Sequence, residues 1–206
     1  MHPNPVFHSK DHEKDIAFVR DRGFGTLVMN GDPVPLVAHV PVLLSEDGSE
    51  VLIHLVRSNP IARTLTSPMP ARIAVTGPDG YISPDWYGAV DQVPTWNYVA
   101  VELTGVLEML PQDRMREVLD TQSEFYESRL LPKTPWRTGK MTPDVLERMM
   151  RMIVPCRMAV SAIAATWKLG QNKPDPVRLA AAQQVVTGVG SDLDGLAALM
   201  TDPPVL

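Results

Sequence analysis

Polar side chains gather where one apolar run of the sequence ends. The run covers residues 51–56 and carries His54, and Arg57, Ser58 and Asn59 follow it directly. A short apolar run of this kind predicts a buried strand, so these donors are expected at its mouth. They could hold an anion by charge-assisted hydrogen bonds, and a phosphate is the natural candidate. The alternative is a plain strand end, in which His54 packs in the core and Arg57 pairs with a carboxylate.

A second set of such residues opens a later apolar segment. Trp96 and Asn97 stand at its start and offer an aromatic face and an amide. Beside an anion site, this pair is what a phosphorylated aromatic cofactor requires. Trp86, Tyr87 and Trp96 are also consistent with aromatics of a core or an interface, and base rates favour that alternative.

Three further polar residues, Lys168, Gln171 and Asn172, follow the last predicted strand. A compact polar group at a strand end can bind a ligand, but it can equally serve to solvate a loop. The residues alone leave these two alternatives open.

Neither a metal centre nor a catalytic nucleophile is predicted. His8 and His12 are four residues apart, without a third ligand spaced to join them. Cys156 lies within an apolar segment and is expected to be an inert core thiol. The sequence contains no GxSxG elbow, P-loop or GxGxxG motif. We therefore expect no metal and assign no catalytic residue.

The elements that must position these residues form a mainly β pattern with added helices. Six strands are predicted, and the first three, joined by short turns, indicate an antiparallel meander. The predicted strands cover residues 24–30, 34–45, 51–56, 71–77, 97–110 and 156–167. Capping and proline signals predict helices at 8–23, 59–66, 111–130, 142–153, 175–186 and 191–200.

Length and composition bound the class of protein. With 206 residues and 44% hydrophobic content, we expect one domain at 1–174 and a helical extension at 175–206 that packs on it. The formal net charge of -5 argues against a broad nucleic-acid footprint, although residues 133–140 form a local basic stretch. One cysteine excludes an intramolecular disulfide, so a cytoplasmic location is expected. Neither a signal peptide nor a membrane helix is expected.

Five ordered blocks resemble successive motifs of a known family. They are AHVPVLLS at 38–45, IHLVRSNP at 53–60, GPDGYISPDWY at 77–87, VPTWNYVAVELTG at 93–105 and KLGQNKP at 168–174. In these blocks the chain is similar to the PaiB family. That family is named for a negative transcriptional regulator and is classed with FMN-binding split-barrel proteins.

The resemblance implies a fold, a cofactor and a site. The fold is a six-stranded antiparallel Greek-key split barrel that forms a homodimer, with FMN in a cleft between the subunits. The resemblance assigns the FMN phosphate to Arg57, Ser58, Asn59 and Arg63, with His54 nearby. It assigns the border of the ring system to residues that the opposite subunit could contribute: Trp96, Asn97, Lys168, Gln171 and Asn172.

Three positions depart from the PaiB pattern. Asp79 and Glu102 stand where the family has histidine, and Gly170 replaces the serine of its KLSQN motif. The loss of two histidines beside a ligand cleft bears on the exact ligand and on any chemistry shared with the family.

Two functions follow as hypotheses. The first is an FMN-binding homodimer of the PaiB type with a regulatory role, which we favour over an enzyme. The alternative is a flavin-dependent oxidoreductase, a flavin reductase or oxidase, that uses the same pocket and takes its hydride chemistry from the flavin. Direct sequence-specific DNA binding is not predicted, because no helix pair has the turn and spacing of a helix-turn-helix.

Overall fold

A computed structural model describes residues 2–205, which fall into two compact units. The terminal unit contains residues 2–18, 74–102 and 163–205, and the central unit contains residues 19–73 and 103–162. Each unit is therefore assembled from segments that are distant in the sequence.

Eight strands among residues 2–205 form one mainly antiparallel sheet. Its order is β2-β1-β5-β6-β7-β4-β3, and β8 pairs with β5 outside this path. The strands are β1 (Phe24–Met29), β2 (Leu36–Pro41), β3 (Leu43–Leu44), β4 (Glu50–Val56), β5 (Met69–Ile82), β6 (Thr95–Met109), β7 (Ile153–Lys168) and β8 (Gly190–Ser191).

Helices connect and follow these strands. They are α1 (His12–Arg22), α2 (Pro60–Thr64), α3 (Met115–Ser128), α4 (Pro143–Met150), α5 (Asp175–Val185) and α6 (Leu193–Thr201). Proline begins α2 and α4, where its missing N–H removes no helical hydrogen bond. In the part of the chain described, no helix is both long enough and apolar enough to cross a bilayer.

The predicted count of six strands is wrong, and Val42 explains part of the difference. The second predicted strand is divided there: β2 pairs with β1, whereas β3 pairs with β4. The Val42 N–H donates to the Gly23 carbonyl at 2.8 Å. The Tyr126 hydroxyl lies 2.7 Å from that same carbonyl oxygen and 3.1 Å from that of Val42. This anchoring ends one ladder and lets the chain begin another.

The remaining difference comes from β8. Its residues Gly190 and Ser191 pair with Gly80 and Asp79, so β5 continues to Ile82. The sequence pattern predicts the end of this strand at Gly77. A pairing partner that lies more than a hundred residues away leaves no local signal in the strand itself.

Each unit has its own core. In β4 the alternation of buried and half-buried residues directs Val51, Ile53 and Leu55 to one face and Leu52 and His54 to the other. The largest fully buried side chains of the central unit are Leu27, Met29, Leu44, Ile53, Ile61, Ile73, Leu103, Leu107, Met115 and Met158. Those of the terminal unit are Ile82 and Leu169.

Candidate functional site

His54 lies half-buried against α3 in the central unit. Its Nδ1 lies 2.8 Å from Oε1 of Gln122, a buried residue whose Nε2 donates to the Leu52 carbonyl at 3.0 Å. Because that carbonyl accepts only from the amide nitrogen, Oε1 must face His54 and accept the Nδ1–H. This hydrogen bond fixes the orientation of the imidazole ring.

Arg57 follows the end of β4 and is held by neutral oxygens. Its Nε donates to the Arg151 carbonyl at 2.9 Å, and its Nη2 donates to Gln112 Oε1 at 2.5 Å and to the Ile153 carbonyl at 3.3 Å. Within residues 2–205 no carboxylate lies within ion-pair distance of this guanidinium. The carboxylate pairing raised as an alternative is therefore absent from the described structure, and the positive charge stays uncompensated.

The polar side chains near Arg57 differ in whether they already have hydrogen-bond partners. The Asn59 side-chain oxygen caps α2 by accepting the Ile61 N–H at 2.9 Å, which leaves its amide nitrogen available. Ser58 and Arg63 are exposed. Neither of these two side chains has a hydrogen-bond or ion-pair partner among residues 2–205.

Trp96 and Lys168 come together in the terminal unit. The Lys168 amine donates to the Trp96 carbonyl at 2.7 Å and contacts the Thr95 hydroxyl. Partial burial, and to a lesser extent repulsion from Lys173, lowers the pKa of this amine from its usual value. Trp96 keeps 46% of its surface exposed and meets the Tyr81 ring edge-on at 6.4 Å between centroids. The pair thus combines a half-exposed tryptophan with a cation.

The other members of this predicted group have structural partners or lie at the surface. Asn97 is buried, and its Nδ2 lies 3.4 Å from the sulfur of Met200 in α6. Gln171 closes its own loop: its Oε1 accepts the Leu169 N–H at 2.8 Å and its Nε2 donates to the Trp167 carbonyl. Asn172 is exposed and makes no hydrogen bond within residues 2–205.

Gln122 and Lys173 are the residues that the sequence reasoning did not select. Gln122 interrupts the apolar face of α3, and a polar residue at a packing position is the signal that could have identified it. The Lys173 amine lies 4.3 Å from the ring centroid of Tyr87 and 2.5 Å from Gln92 Oε1. Tyr87 is buried, which raises the pKa of its hydroxyl, and this oxygen has no hydrogen-bond partner in the described residues.

Clusters of three or more His, Cys, Asp or Glu side chains suited to a metal ion are absent between residues 2 and 205. Cys156 is fully buried, and burial raises the pKa of its thiol to about 12. A thiol with this pKa stays protonated near neutral pH and is a poor nucleophile.

Comparisons with known proteins agree with this architecture. A family model described as "Putative FMN-binding domain" matches residues 1–162. The Bacillus subtilis (strain 168) protein "Protease synthase and sporulation protein PAI 2" is 31% identical over 204 residues, which cover 98% of this chain and 97% of that protein.

Solved structures share the fold at low sequence identity. The FAD and heme binding protein from Mycobacterium smegmatis superposes with a TM-score of 0.58 at 17% identity, covering 79% of this chain and 73% of its own. The flavocytochrome Anf3 from Azotobacter vinelandii gives a TM-score of 0.57 at 14% identity, with coverages of 81% and 72%. The predicted fold class, a mainly β split barrel with added helices, is confirmed, with eight strands among residues 2–205 in place of the six predicted.

Proposed function

We propose that this chain, which belongs to the PaiB-type family of FMN-binding domains, acts as an FMN-binding homodimer with a regulatory role. FMN is its cofactor, as the family match over residues 1–162 implies. The homodimer and the regulatory role are proposals by analogy with the family and with the relative named for protease synthesis and sporulation.

The uncompensated charge of Arg57 is the observation that carries the proposal. A phosphate binds to cations and to N–H and O–H donors. Neutral carbonyl oxygens compete with it only weakly for these donors. Arg57 is fixed by neutral acceptors only, and Ser58, Asn59 and Arg63 add an exposed hydroxyl, an amide nitrogen and a second cation. This donor set fits the phosphate of FMN, and we assign these four residues to it.

We assign Trp96 and Lys168 to the border of the ring system, contributed by the opposite subunit of the homodimer. An exposed indole face suits stacking on a flat ring, and an ammonium suits the electron-rich edge of a flavin. Asn97 and Gln171 stabilise the surroundings of this pair, and Asn172 offers an exposed amide. His54 is assigned a position near the phosphate.

Bound FMN would supply hydride or single-electron transfer. The side chains assigned above bind and orient it. His54 donates its Nδ1–H to Gln122, which fixes the orientation of its ring. The side chains assigned above thus serve to bind and orient FMN, and we propose a binding or sensing role on that ground.

The test is the affinity of apo-protein for FMN and for riboflavin, followed by quenching of flavin fluorescence. Arg57→Ala should lower the affinity for FMN by about tenfold to a hundredfold, because a hydrogen bond to a charged group contributes roughly 1.5–3 kcal/mol. Riboflavin, which lacks the phosphate, should bind the variant as it binds the parent protein.

Arg129→Ala is the matched control, because Arg129 is an exposed arginine that pairs with Asp21 at 2.7 Å. It should leave both affinities unchanged. The assignment is wrong if Arg57→Ala weakens FMN and riboflavin equally, or if the parent protein shows no saturable quenching by FMN up to about 100 μM, which corresponds to roughly -5.5 kcal/mol.

A further inference from the structure

The central unit contains an apolar cavity that the proposed function does not use. Its volume is about 300 Å³, and side chains of α3 and α4, the segment after α3 and the ends of β4 and β7 line it. Cavities that hold small molecules in proteins begin at roughly this volume, on the order of 300 Å³. This cavity is therefore large enough for a molecule of two or three rings.

The lining carries no charged side chain. Four methionines, Met141, Met149, Met150 and Met152, contribute to it, and its hydroxyls belong to Ser123 and Thr138. The Thr138 hydroxyl is already engaged, since it donates to Asp120 Oδ1 at 2.7 Å and accepts from Arg116 at 2.8 Å. An ion entering this cavity would lose its hydration without gaining a partner, so the lining selects uncharged ligands.

Of the two hydroxyls in the lining, that of Ser123 remains available to hydrogen-bond a ligand. It is half-buried, and its hydroxyl has no hydrogen-bond partner among residues 2–205. Apolar pockets typically fix the orientation of a ligand with a few polar groups of this kind.

Trp136 gives the cavity an aromatic wall. Its backbone N–H donates to Glu127 Oε2 at 2.7 Å, and Lys133 contacts the same carboxylate, so the segment that carries the indole is anchored to α3. Methionine sulfur interacts favourably with aromatic rings, and its flexible side chain adapts to ligands of different outline. Trp136 and the four methionines together favour an aromatic occupant.

Apolar side chains near the cavity are exposed to an unusual extent. Val56, Met149 and Met152 retain 54%, 53% and 61% of their surface. A ligand that covers them would remove this apolar area from water, which is the main driving force for binding to such a site. The volume of the cavity, its apolar lining and its exposed apolar side chains are thus those of a ligand-binding site.

We propose that this cavity binds an uncharged aromatic small molecule, one per chain, in addition to FMN. Such a ligand would give the protein a second input besides the flavin. The site is defined by Val56, Ser123, Trp136, Leu146, Met149 and Met152.

The test uses FMN-loaded protein and equilibrium dialysis, which flavin quenching does not disturb. The probe is N-phenyl-1-naphthylamine, which is neutral. Its matched counterpart is 1-anilinonaphthalene-8-sulfonate, which has the same rings and a negative charge. We expect saturable binding of one neutral probe per chain, with the sulfonate weaker by about tenfold or more, because no cation of the lining offsets its desolvation.

Two exposed methionines allow substitution without disturbing the core. Met149→Glu and Met152→Glu should each weaken the neutral probe by about tenfold or more, since each places a charge beside it. Met109→Glu is the control, because Met109 is 38% exposed and lies in β6 outside the cavity lining. It should leave the affinity unchanged, and circular dichroism should show all three variants folded.

Four results of the dialysis would overturn the proposal. They are unsaturable binding, equal affinity for the two probes, equal losses in Met109→Glu and the two cavity variants, and probe binding to apo-protein that is lost in the FMN-loaded protein. A fall in molecular mass by light scattering in Met149→Glu or Met152→Glu would also contradict it, because this face would then be an interface between copies of the chain.

Discussion

Two groups of cations in the central unit differ in what holds them. Arg57 is bound by two backbone carbonyls and one amide oxygen, and Arg63 has no partner among the described residues. In the basic stretch of residues 133–140, Lys133 contacts Glu127, and Arg137 lies 3.8 Å from Glu124. Lys140 of the same stretch donates to the Pro135 carbonyl at 3.3 Å. Lys133 and Arg137 thus face carboxylates, whereas Arg57 contacts neutral oxygens only.

The difference shows that the number of cations in a segment is a poor guide to its affinity for phosphate. A carboxylate already beside a guanidinium competes with an incoming phosphate, and the complex must first break that pair. On the proposed assignment, a phosphate at Arg57 avoids this cost. At Lys133 and Arg137 a phosphate would first have to displace a carboxylate, although the basic stretch is the richer in charge.

Charge reversal should give the largest effect. Arg57→Glu should lower the affinity for FMN by about a hundredfold or more, because it replaces an attraction to the phosphate by a repulsion of roughly several kcal/mol. Arg137→Glu changes the net charge equally and should leave FMN affinity within about twofold, below 0.5 kcal/mol. Titration of both apo-proteins with FMN measures the contrast. Similar losses in the two variants would show that long-range charge, and not the site at Arg57, controls binding.

Much of the architecture could be predicted from the sequence, because apolar alternation and capping residues are local signals. The strand that ends at Val56, directly before Arg57, and the helix that Asn59 caps and Pro60 begins lie where the pattern indicates. The partners of Arg57 could not be predicted, since the carbonyls of Arg151 and Ile153 are far away in the sequence. For the same reason nothing local indicated that Asn97 would be buried against Met200.

Gly170 illustrates what a departure from a family pattern can mean. The sequence shows that glycine replaces the serine of the PaiB motif, but it does not show the backbone conformation at this residue. The backbone there has φ +82°, a left-handed conformation that glycine adopts without the steric cost of a side chain. The backbone conformation at this position therefore favours glycine over serine.

Removing the carboxylates that contact the basic stretch should have a moderate effect on its affinity for DNA. The double variant Glu124→Gln and Glu127→Gln removes the carboxylates beside Lys133 and Arg137. Its non-specific affinity for duplex DNA at about 50 mM salt should exceed that of the parent protein roughly threefold to tenfold, and the gain should vanish by about 200 mM salt as counterion release becomes less favourable. Gel shifts at both salt concentrations measure it.

The control for this prediction is Glu13→Gln with Asp194→Asn, which alters the net charge equally at exposed positions elsewhere. An equal gain in the control would mean that net charge alone is responsible. Nanomolar discrimination by the parent protein between a promoter and scrambled DNA would contradict the view that this stretch is neutralised.

The smallest effect concerns Lys168, which resembles Arg57 because its hydrogen bonds go to a backbone carbonyl and a hydroxyl. Burial and then Lys173 lower the pKa of its amine in the folded protein, so the unfolded chain binds this proton more tightly. Stability should therefore rise with pH between the folded pKa and the usual lysine value of 10.5. Lys173→Met removes the repulsion and should raise the pKa of Lys168 towards its usual value. NMR titration of the ¹³C-labelled ε-carbon can follow this change. Lys133→Met is the matched control, because it removes an equal charge from the basic stretch and should leave the Lys168 titration unchanged. If Lys173→Met lowers the pKa or leaves it unmoved, Lys173 does not act on Lys168 through its charge, and only burial distinguishes this amine from the paired cations of the central unit.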